Sequence, residues 1–170
     1  RVKLVGGKNQ DIGKRYTDNV QAYNLCLQGR YHWWKRTPET IHKAMVCYER
    51  ALVEDPNYAL AHAWLSDCYF SKGYYGLLPP KEAMPKSETA ALKAIQIDAD
   101  RADAYAALGA VKAIYHWKWT EGERDLRRAI ELDPGYLVAH VWYAAFVLVA
   151  QGRLDEAYSE WKRATELDPV

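Results

Sequence analysis

Three cysteines and two of the five histidines are the side chains in this chain that are best suited to chemistry. Cys26, Cys47 and Cys68 could supply a nucleophilic thiolate, and His62 and His140 could bind a metal or carry a proton. Their spacing supports neither use, because no CxxC pair and no metal-ligand spacing occurs. The odd number of thiols, each within a helical pattern, predicts free and largely buried cysteines in a reducing compartment. We expect both histidines to be packed and hydrogen-bonded, and we expect no metal.

Acidic side chains occur in two groups, one at Glu121, Glu123 and Asp125 and one at Asp155 and Glu156. Both groups lie among Lys and Arg residues, so we interpret them as solvated helix faces with ion pairs rather than as catalytic dyads. The chain has no glycine-rich phosphate loop, no His-Glu-x-x-His motif, and no Ser or Cys in a strand–turn–helix context. The sequence therefore predicts a protein that is not an enzyme and that binds no cofactor.

A recurring phrase ends four helix-like segments and reveals internal repeats. It occurs as ALVEDPNY at 51–58, AIQIDA at 94–99, AIELDPGY at 129–136 and ATELDP at 164–169. Positions 56, 99, 134 and 169 are separated by 43, 35 and 35 residues, close to the roughly 34-residue period of helix–turn–helix repeats. The longer first step contains the insert YYGLLPP at 74–80, whose prolines disfavour a helix interior.

The residues between these anchors follow a family pattern. The segments AHAWLSDCY at 61–69, AYAALG at 104–109 and AHVWYA at 139–144 resemble helix A of the tetratricopeptide repeat, and alanines of helix B follow at 44, 51, 157 and 164. Small side chains there let paired helices approach closely. Ser87 and Gly122 stand where the family usually has Ala. The resemblance implies an all-α, right-handed superhelical solenoid of about four helix–turn–helix pairs.

We divide the chain into a linker or the end of a preceding domain at 1–16 and a repeat array at 17–170, with repeats at about 19–56, 57–99, 100–134 and 135–169. The expected helices are 19–35, 38–53, 58–72, 82–97, 102–115, 120–131, 136–151 and 154–167. Thr37 before Pro38 predicts an N-cap, and Thr120 with Glu123 predicts a capping box. Because the chain starts at Arg1 without Met and ends at Asp168-Pro169-Val170, where another repeat would normally begin, we expect a longer parent protein.

Four further segments make the resemblance more specific, because they point to one subfamily. The segments KRYTDNVQAY at 14–23, GRYHWWKRTP at 29–38, YGLLPP at 75–80 and YHWKW at 115–119 are similar to the C-terminal tetratricopeptide segment of bacterial multidomain signalling proteins. In that subfamily the array follows an output domain of the Ser/Thr-kinase, nucleotide-cyclase or winged-helix DNA-binding type, often with a small TolB-like domain between. The resemblance implies a cytoplasmic sensory or docking module without identifying its output domain.

The charge distribution and the hydropathy limit the kinds of partner that the chain could bind. Net charge is +1, but residues 1–36 hold eight Lys/Arg and two Asp, whereas 37–170 hold fifteen Lys/Arg and twenty Asp/Glu. The basic residues are scattered, so we expect a solvated tail and first helix and no direct nucleic-acid binding; contact of this basic end with nucleic acid or an anionic surface is the alternative. Residues 137–150 are apolar except His140, but they are too few to cross a bilayer, which needs about 20. We expect no membrane span.

In this family the A helices form a concave wall, and ligands contact fixed positions along each of them. Carried onto this chain, those positions predict a partner-binding groove with an apolar end that suits an amphipathic helix or an extended apolar peptide. Asp67 and Asp103 argue against a clamp for the carboxylate of a chaperone tail. The groove residues are Tyr31, Asp67, Phe70, Asp103, Ala106, Ala110, Ala113, Ile114, Val141, Ala145 and Leu148.

These patterns predict a non-catalytic scaffold that binds a protein or peptide as part of a larger bacterial signalling protein. The alternative is a structural spacer or self-association module that positions the kinase, cyclase or DNA-binding domain of the parent. The apolar fourth repeat, with Leu148 and Val149, would bind a ligand, pack on a following repeat or form a homo-oligomer. The large side chains of two turns are expected to pack at the core edge, with a docking role as the alternative. They are Tyr74, Tyr75, Leu77, Leu78, Trp117 and Trp119.

Overall fold

The computed structural model describes residues 17–168, and within that range the chain is helical and contains no strand. The helices are α1 Val20–Trp33, α2 Pro38–Glu54, α3 Ala59–Tyr74, α4 Pro80–Ile97, α5 Ala102–Ile114, α6 Trp119–Leu132, α7 Leu137–Trp142 and α8 Leu154–Leu167. A π-helical turn, Tyr143–Leu148, continues α7. The expected helix at 136–151 is therefore only partly α-helical. The predicted linker at 1–16 and the last two residues lie outside the described range.

Consecutive helices pack in pairs, α1 with α2, α3 with α4, α5 with α6 and α7 with α8. Helices α1, α3, α5 and α7 are called the A helices below. Each pair also packs on the next, so the pairs stack into a helical-repeat solenoid. The seams are lined by alanines with no exposed surface, among them Ala44, Ala94, Ala129 and Ala157. This confirms the predicted all-α repeat fold.

Side-chain caps and prolines determine where the first helices begin. The Asn19 side chain accepts hydrogen bonds from the backbone N–H groups of Gln21 and Ala22 at the start of α1. The Thr37 side chain caps α2 and forms a reciprocal capping box with Thr40, and Pro38 is the first helical residue, as predicted.

The capping box predicted for Thr120 and Glu123 is wrong. Helix α6 already begins at Trp119, and its N-cap residue is Lys118, whose carbonyl accepts from the backbone N–H of Gly122. Thr120 therefore lies inside the first turn. The Glu123 side chain contacts Tyr143 of the π-helical turn and Arg153, the N-cap residue of α8, instead of capping α6.

Two seam positions depart from Ala, and the structure explains both. A Cβ on Gly122 would lie 2.8 Å from the carbonyl oxygen of Gly109, and one on Gly109 would lie 2.8 Å from that of Gly122. Helices α5 and α6 thus approach more closely than two alanines permit. At the α3–α4 seam, the Ser66 hydroxyl donates to the Ser87 carbonyl at 2.8 Å and the Ser87 hydroxyl donates to the Ser66 carbonyl at 3.0 Å.

Each turn that joins an A helix to its partner contains one residue with positive φ. These residues are Arg36 at 50°, Gly76 at 70°, Trp117 at 60° and Gly152 at 73°. Glycine adopts this conformation without strain, whereas a residue with a Cβ does so at a cost. Two of the four turns therefore retain a large side chain where glycine would be less strained.

Within the described residues, no helix combines the length and the apolar character needed to span a bilayer.

Candidate partner-binding site

The structure buries seven of the eleven residues predicted to line the groove. Ile114, Val141 and Ala145 are half-buried, and Tyr31 is 62% exposed. The buried residues are Asp67, Phe70, Asp103, Ala106, Ala110, Ala113 and Leu148. These seven have little or no surface to offer a partner in this conformation, so the expected continuous wall is not open along its length.

The chain covers the groove with aromatic side chains from its own fourth repeat. The ring of Trp142 lies 4.6 Å from the ring of Phe70, and the ring of Phe146 lies 5.3 Å from that of Tyr74. Trp142 and Phe146 also pack in the cluster that contains Ala110. They are four residues apart, and the repeat pattern did not predict their role. The spacing of these two large aromatic residues was the available signal in the sequence.

Leu148 packs inside the described chain. It has no exposed surface and lies in a cluster with Val147 and with Ala157 of α8. Neither a ligand nor a following repeat is needed to cover it, so the expectation that it faces one of these is wrong. Val149, the next residue, is 40% exposed.

An open cleft lies beside the covered part of the groove. Its volume is ≈ 80 Å³, and it lies between the end of α1, the C-terminal half of α3 and the start of α7. Two predicted groove residues, Phe70 and Val141, contribute to it. It is lined by Trp33, Arg36, Phe70, Ser71, Tyr74, Tyr75, Leu137, Val138, Val141 and Trp142. The accessible surface is thus aromatic and aliphatic, with Arg36 as its charged residue.

Asp67 lies one helical turn before Ser71 and carries a buried carboxylate oxygen, Oδ1, with no hydrogen-bond partner. Burial raises the pKa of Asp67 well above its ordinary value, and the charge of Asp103 adds to the shift. The charge of Arg36 and a hydrogen bond from Tyr136 oppose it. Asp103 itself forms an ion pair with Arg101 that is buried on both sides. These carboxylates are therefore held inside the molecule.

Arg36 lies in the turn after α1 and is exposed. Its guanidinium carbon is 5.7 Å from the centre of the Trp33 ring, a cation–π contact. Its charge also acts on the carboxyl group of Asp67, whose pKa it lowers against the effect of burial. The nearby Lys35 similarly stacks on Tyr31, at 4.3 Å. Trp33 and Arg36 therefore give the cleft one aromatic and one basic side chain from the end of α1 and the turn after it.

His62 and His140 both form hydrogen bonds that connect a helix to the turn before it. Nε2 of His62 lies 3.0 Å from the carbonyl oxygen of Pro56, and Nε2 of His140 lies 3.1 Å from that of Pro134. Nδ1 of His140 also contacts Glu160 of α8 at 2.6 Å. Both rings thus bridge a helix to the turn before it, as packed and hydrogen-bonded groups.

All three cysteines are free thiols, and Cys26 and Cys68 are buried. Burial raises the pKa of Cys26 to about 12 and raises that of Cys68 and of Cys47. A raised pKa removes the thiolate that nucleophilic chemistry needs. The residues described here contain no cluster of three or more His, Cys, Asp or Glu side chains that would hold a metal ion.

Two members of the acidic group on α6, Glu123 and Asp125, are not on the solvated face that the sequence predicted, whereas Glu121 forms the expected surface ion pair, with Lys118. Asp125 is buried and forms an ion pair with Lys112 of α5. Glu123 accepts hydrogen bonds from the Tyr143 hydroxyl at 2.7 Å and from Arg153 at 2.9 Å. Burial alone would raise the pKa of Glu123, but these hydrogen bonds outweigh it and the pKa is lowered. The two carboxylates therefore join α6 to its neighbours.

The aromatic side chains in and beside the turns differ in how far they are packed against the core. Tyr74 stacks on Phe70 with ring centres 5.8 Å apart, as expected for packing at a core edge. Trp117 is 71% exposed and contacts Trp119 edge to face. The expectation of core-edge packing is therefore wrong for Trp117, and also for Tyr75, which is 58% exposed.

Comparison with known proteins places this geometry in context. No protein-family model matches the chain. It is 25% identical over 154 residues to the transcriptional regulator HilA of Salmonella typhimurium and of Salmonella typhi, a match that covers 90% of this chain. The chain spans 27% of the length of these curated relatives.

Solved structures of similar shape are tetratricopeptide proteins. The first such domain of Spaghetti (RPAP3), bound to the HSP90 peptide SRMEEVD, matches with a TM-score of 0.57 and 17% identity, covering 88% of this chain and 99% of that one. MamA matches at 0.56 and 22%, covering 89% and 81%. YrrB, a tetratricopeptide protein with an unusual peptide-binding site, matches at 0.54 and 23%, covering 87% and 69%. These likenesses establish the tetratricopeptide fold.

Proposed function

We propose that this chain is a non-catalytic interaction module that binds a peptide or helix of another protein on the inner face of the A helices. The open cleft carries the proposal: its volume of ≈ 80 Å³ is well below the range of about 300–1,000 Å³ for a small-molecule pocket, so it suits a contact with the surface of a peptide or helix rather than a small ligand. Its aromatic lining is the type of surface that dominates binding energy at protein interfaces. The binding surface is narrower than the predicted groove, since the Ala106 and Ala110 region is covered.

The fold neighbours support this proposal. RPAP3 was solved with an HSP90 peptide, and YrrB is described as having a peptide-binding site. Asp67 and Asp103 still disfavour a chaperone-tail carboxylate as the ligand here, because both are buried acids beside the inner face.

Self-association is a second candidate, and a feature of α8 favours it. Leu154, Tyr158 and Trp161 are 63%, 69% and 42% exposed and recur at a helical spacing of four and three residues. They form one apolar stripe along the helix. An exposed stripe of this kind is typical of an interaction surface.

Site-directed photo-cross-linking distinguishes the two candidates. A photoreactive p-benzoylphenylalanine replaces Tyr75 in the cleft, Tyr158 on α8, or Val53 on α2, all of which are exposed. A cross-link to another protein from Tyr75, absent from Val53, supports the binding module. A cross-link to a second copy from Tyr158, with none from Tyr75, would replace that proposal with the self-association module.

We also propose that the chain is the repeat segment of a longer regulatory protein. The match to transcriptional regulators, of which it spans 27%, supports this context. The reading frame that encodes the segment tests it: an adjoining DNA-binding, kinase or cyclase domain is expected, and a frame that encodes the repeats alone would refute it.

A further inference from the structure

We infer that helix α8 is a dimerisation surface, on which the α8 of a second copy of this chain packs in antiparallel orientation. This dimer rests on the self-association candidate proposed above and specifies its partner and its geometry, whereas peptide binding in the cleft does not depend on it. Three features of α8 support the dimer. They are its apolar stripe, the burial of the equivalent positions in the other repeats, and a pair of charges that is complementary to itself.

The apolar stripe lies on a face of α8 that the residues described by the structure leave uncovered. Leu154, Tyr158 and Trp161 are spaced by four and three residues, so their side chains lie in one row along the helix. All three are exposed. Ala157, on the adjoining face, is buried in a cluster with Val147 of the π-helical turn. A contiguous row of large exposed apolar side chains marks an interaction surface.

The same face of the earlier repeats is covered by the A helix that follows. Counted back from the repeat anchors, the position of Trp161 is occupied in the first three repeats by Tyr48, Ala91 and Leu126. All three are fully buried. Tyr48 packs on Trp64 of α3 with ring centres 5.7 Å apart, and Ala91 and Leu126 share buried clusters with residues of α5 and α7, respectively. This face is therefore shaped to receive a helix, and on α8 it is open.

Charges beside the stripe favour the α8 of a second copy as that helix. Asp155 and Lys162 are exposed and seven residues apart, so they lie on the same side of the stripe. Neither forms a salt bridge with a residue that the structure describes. A twofold axis near Tyr158 brings Asp155 of each antiparallel copy beside Lys162 of the other. It also brings Leu154 near Trp161, so the surface is complementary to itself. In a parallel pair these charges would lie on opposite sides of the interface.

This charge pair is particular to α8. A following A helix packs on α2, α4 and α6 although none of them has an acid at the first position and a base at the second. The equivalent residues are His42 and Glu49 in α2, Pro85 and Leu92 in α4, and Thr120 and Arg127 in α6. The pair is thus not needed for the packing of an A helix, whereas two antiparallel copies of α8 use both of its members.

Sedimentation-velocity ultracentrifugation of the whole chain tests the dimer. One helix from each copy makes a small interface, so the chain should be monomeric at about 1 μM and increasingly dimeric towards about 200 μM. Asp155→Lys and Lys162→Glu each bring like charges together at two places in the homodimer, and each should lower the dimer affinity about tenfold. An equimolar mixture of these two variants should recover the affinity of the parent, because both contacts of the heterodimer again join opposite charges.

Lys81→Glu is the matched control, because it makes the same charge change at an exposed position of α4. It should leave the dimer affinity within about twofold of the parent. Circular dichroism melts establish that the three variants are folded, as their exposure predicts.

A chain that stays monomeric over this concentration range would overturn the inference and leave a following A helix as the occupant of the stripe. A parent that dimerises while Asp155→Lys and Lys162→Glu dimerise equally well would overturn it too, although self-association would stand. A mixture of the two variants that dimerises no better than either alone would exclude the antiparallel pairing. None of these results bears on peptide binding, which the cross-link from Tyr75 decides separately.

Discussion

Trp142 of the fourth repeat lies with its ring 4.6 Å from Phe70 of the second repeat, bridging the inner face of the solenoid. Stacked repeats usually contact only their neighbours. This contact skips the third repeat and covers Ala110 between them. The inner face is therefore divided into a closed part, filled by the chain itself, and an open cleft beside it.

Trp142→Ala should destabilise the fold by about 3–5 kcal/mol, because it removes a large aromatic side chain packed between two repeats. Urea denaturation followed by circular dichroism measures the loss. Trp117→Ala is the matched control, since Trp117 is 71% exposed, and it should stay within about 0.5 kcal/mol of the parent. Equal effects of the two substitutions would contradict the bridging role of Trp142.

Gly109→Ala should cost about 1–3 kcal/mol, because the added methyl group would overlap the Gly122 carbonyl oxygen and the Leu126 side chain. Thermal or urea melts report the change. Gly135→Ala is the control: its new methyl group would meet only the side chain of Asp133 in an exposed turn. A Gly109→Ala protein as stable as the control would show that the α5–α6 seam can relax.

His140 and His62 occupy equivalent positions but should differ in importance. Replacing His140 by Gln removes contacts to both Pro134 and Glu160 and should cost about 1–3 kcal/mol, because Glu160 is left without its partner. His62→Gln removes one bond to a carbonyl, which is worth about 0.5–1.5 kcal/mol. Urea denaturation of the two variants measures the free energy of unfolding that each substitution costs. A larger loss of stability for His62→Gln than for His140→Gln would contradict the prediction.

The repeat period and the alanine pattern predicted the helix pairs because these positions obey a packing rule that recurs in every repeat. The covered groove could not be predicted in the same way. Residues 137–150 are apolar except His140, so their periodicity does not show which side chains face α3 and which face α8. The π-helical turn at Tyr143–Leu148 changes the register further, and its position has no signal in such a uniform segment.

The open cleft was predicted only in part. Phe70 and Val141 follow from repeat positions, but Trp33 and Arg36 come from the end of α1 and the turn after it, where the pattern has no fixed positions. The partners of Glu123 were missed for a related reason. Tyr143 and Arg153 lie on later elements, and a local capping motif offered a simpler interpretation.

The three cysteines should differ in their reactivity towards a thiol-labelling reagent. Cys47 is partly exposed, whereas Cys26 and Cys68 are buried and have raised pKa values, that of Cys26 being about 12. At pH 8 the native protein should react with iodoacetamide first at Cys47, and the other two should react only after urea unfolding. Mass spectrometry of the labelled peptides checks the order, and rapid native labelling of Cys26 would contradict its burial.

Asp67→Asn should make the fold more stable at pH 7. Burial raises the folded-state pKa of Asp67 above its unfolded value of about 3.9, so the folded protein binds this proton more tightly than the unfolded chain. Below about pH 4 the group is protonated in both states and burying it carries no charge penalty. As pH rises from about 4 towards the folded pKa, the parent loses about 1.4 kcal/mol of stability per pH unit from this group, and Asn does not.

Urea melts of the parent and of Asp67→Asn between pH 3.5 and 7 test this linkage. The stability difference should be smallest at the acidic end and should increase with pH in favour of the variant. Asp18→Asn, at an exposed position, serves as the control and should show no such increase. A variant that is less stable than the parent at pH 7 would mean that the ionised Asp67 is stabilised by Arg36 and Tyr136 more than its burial costs.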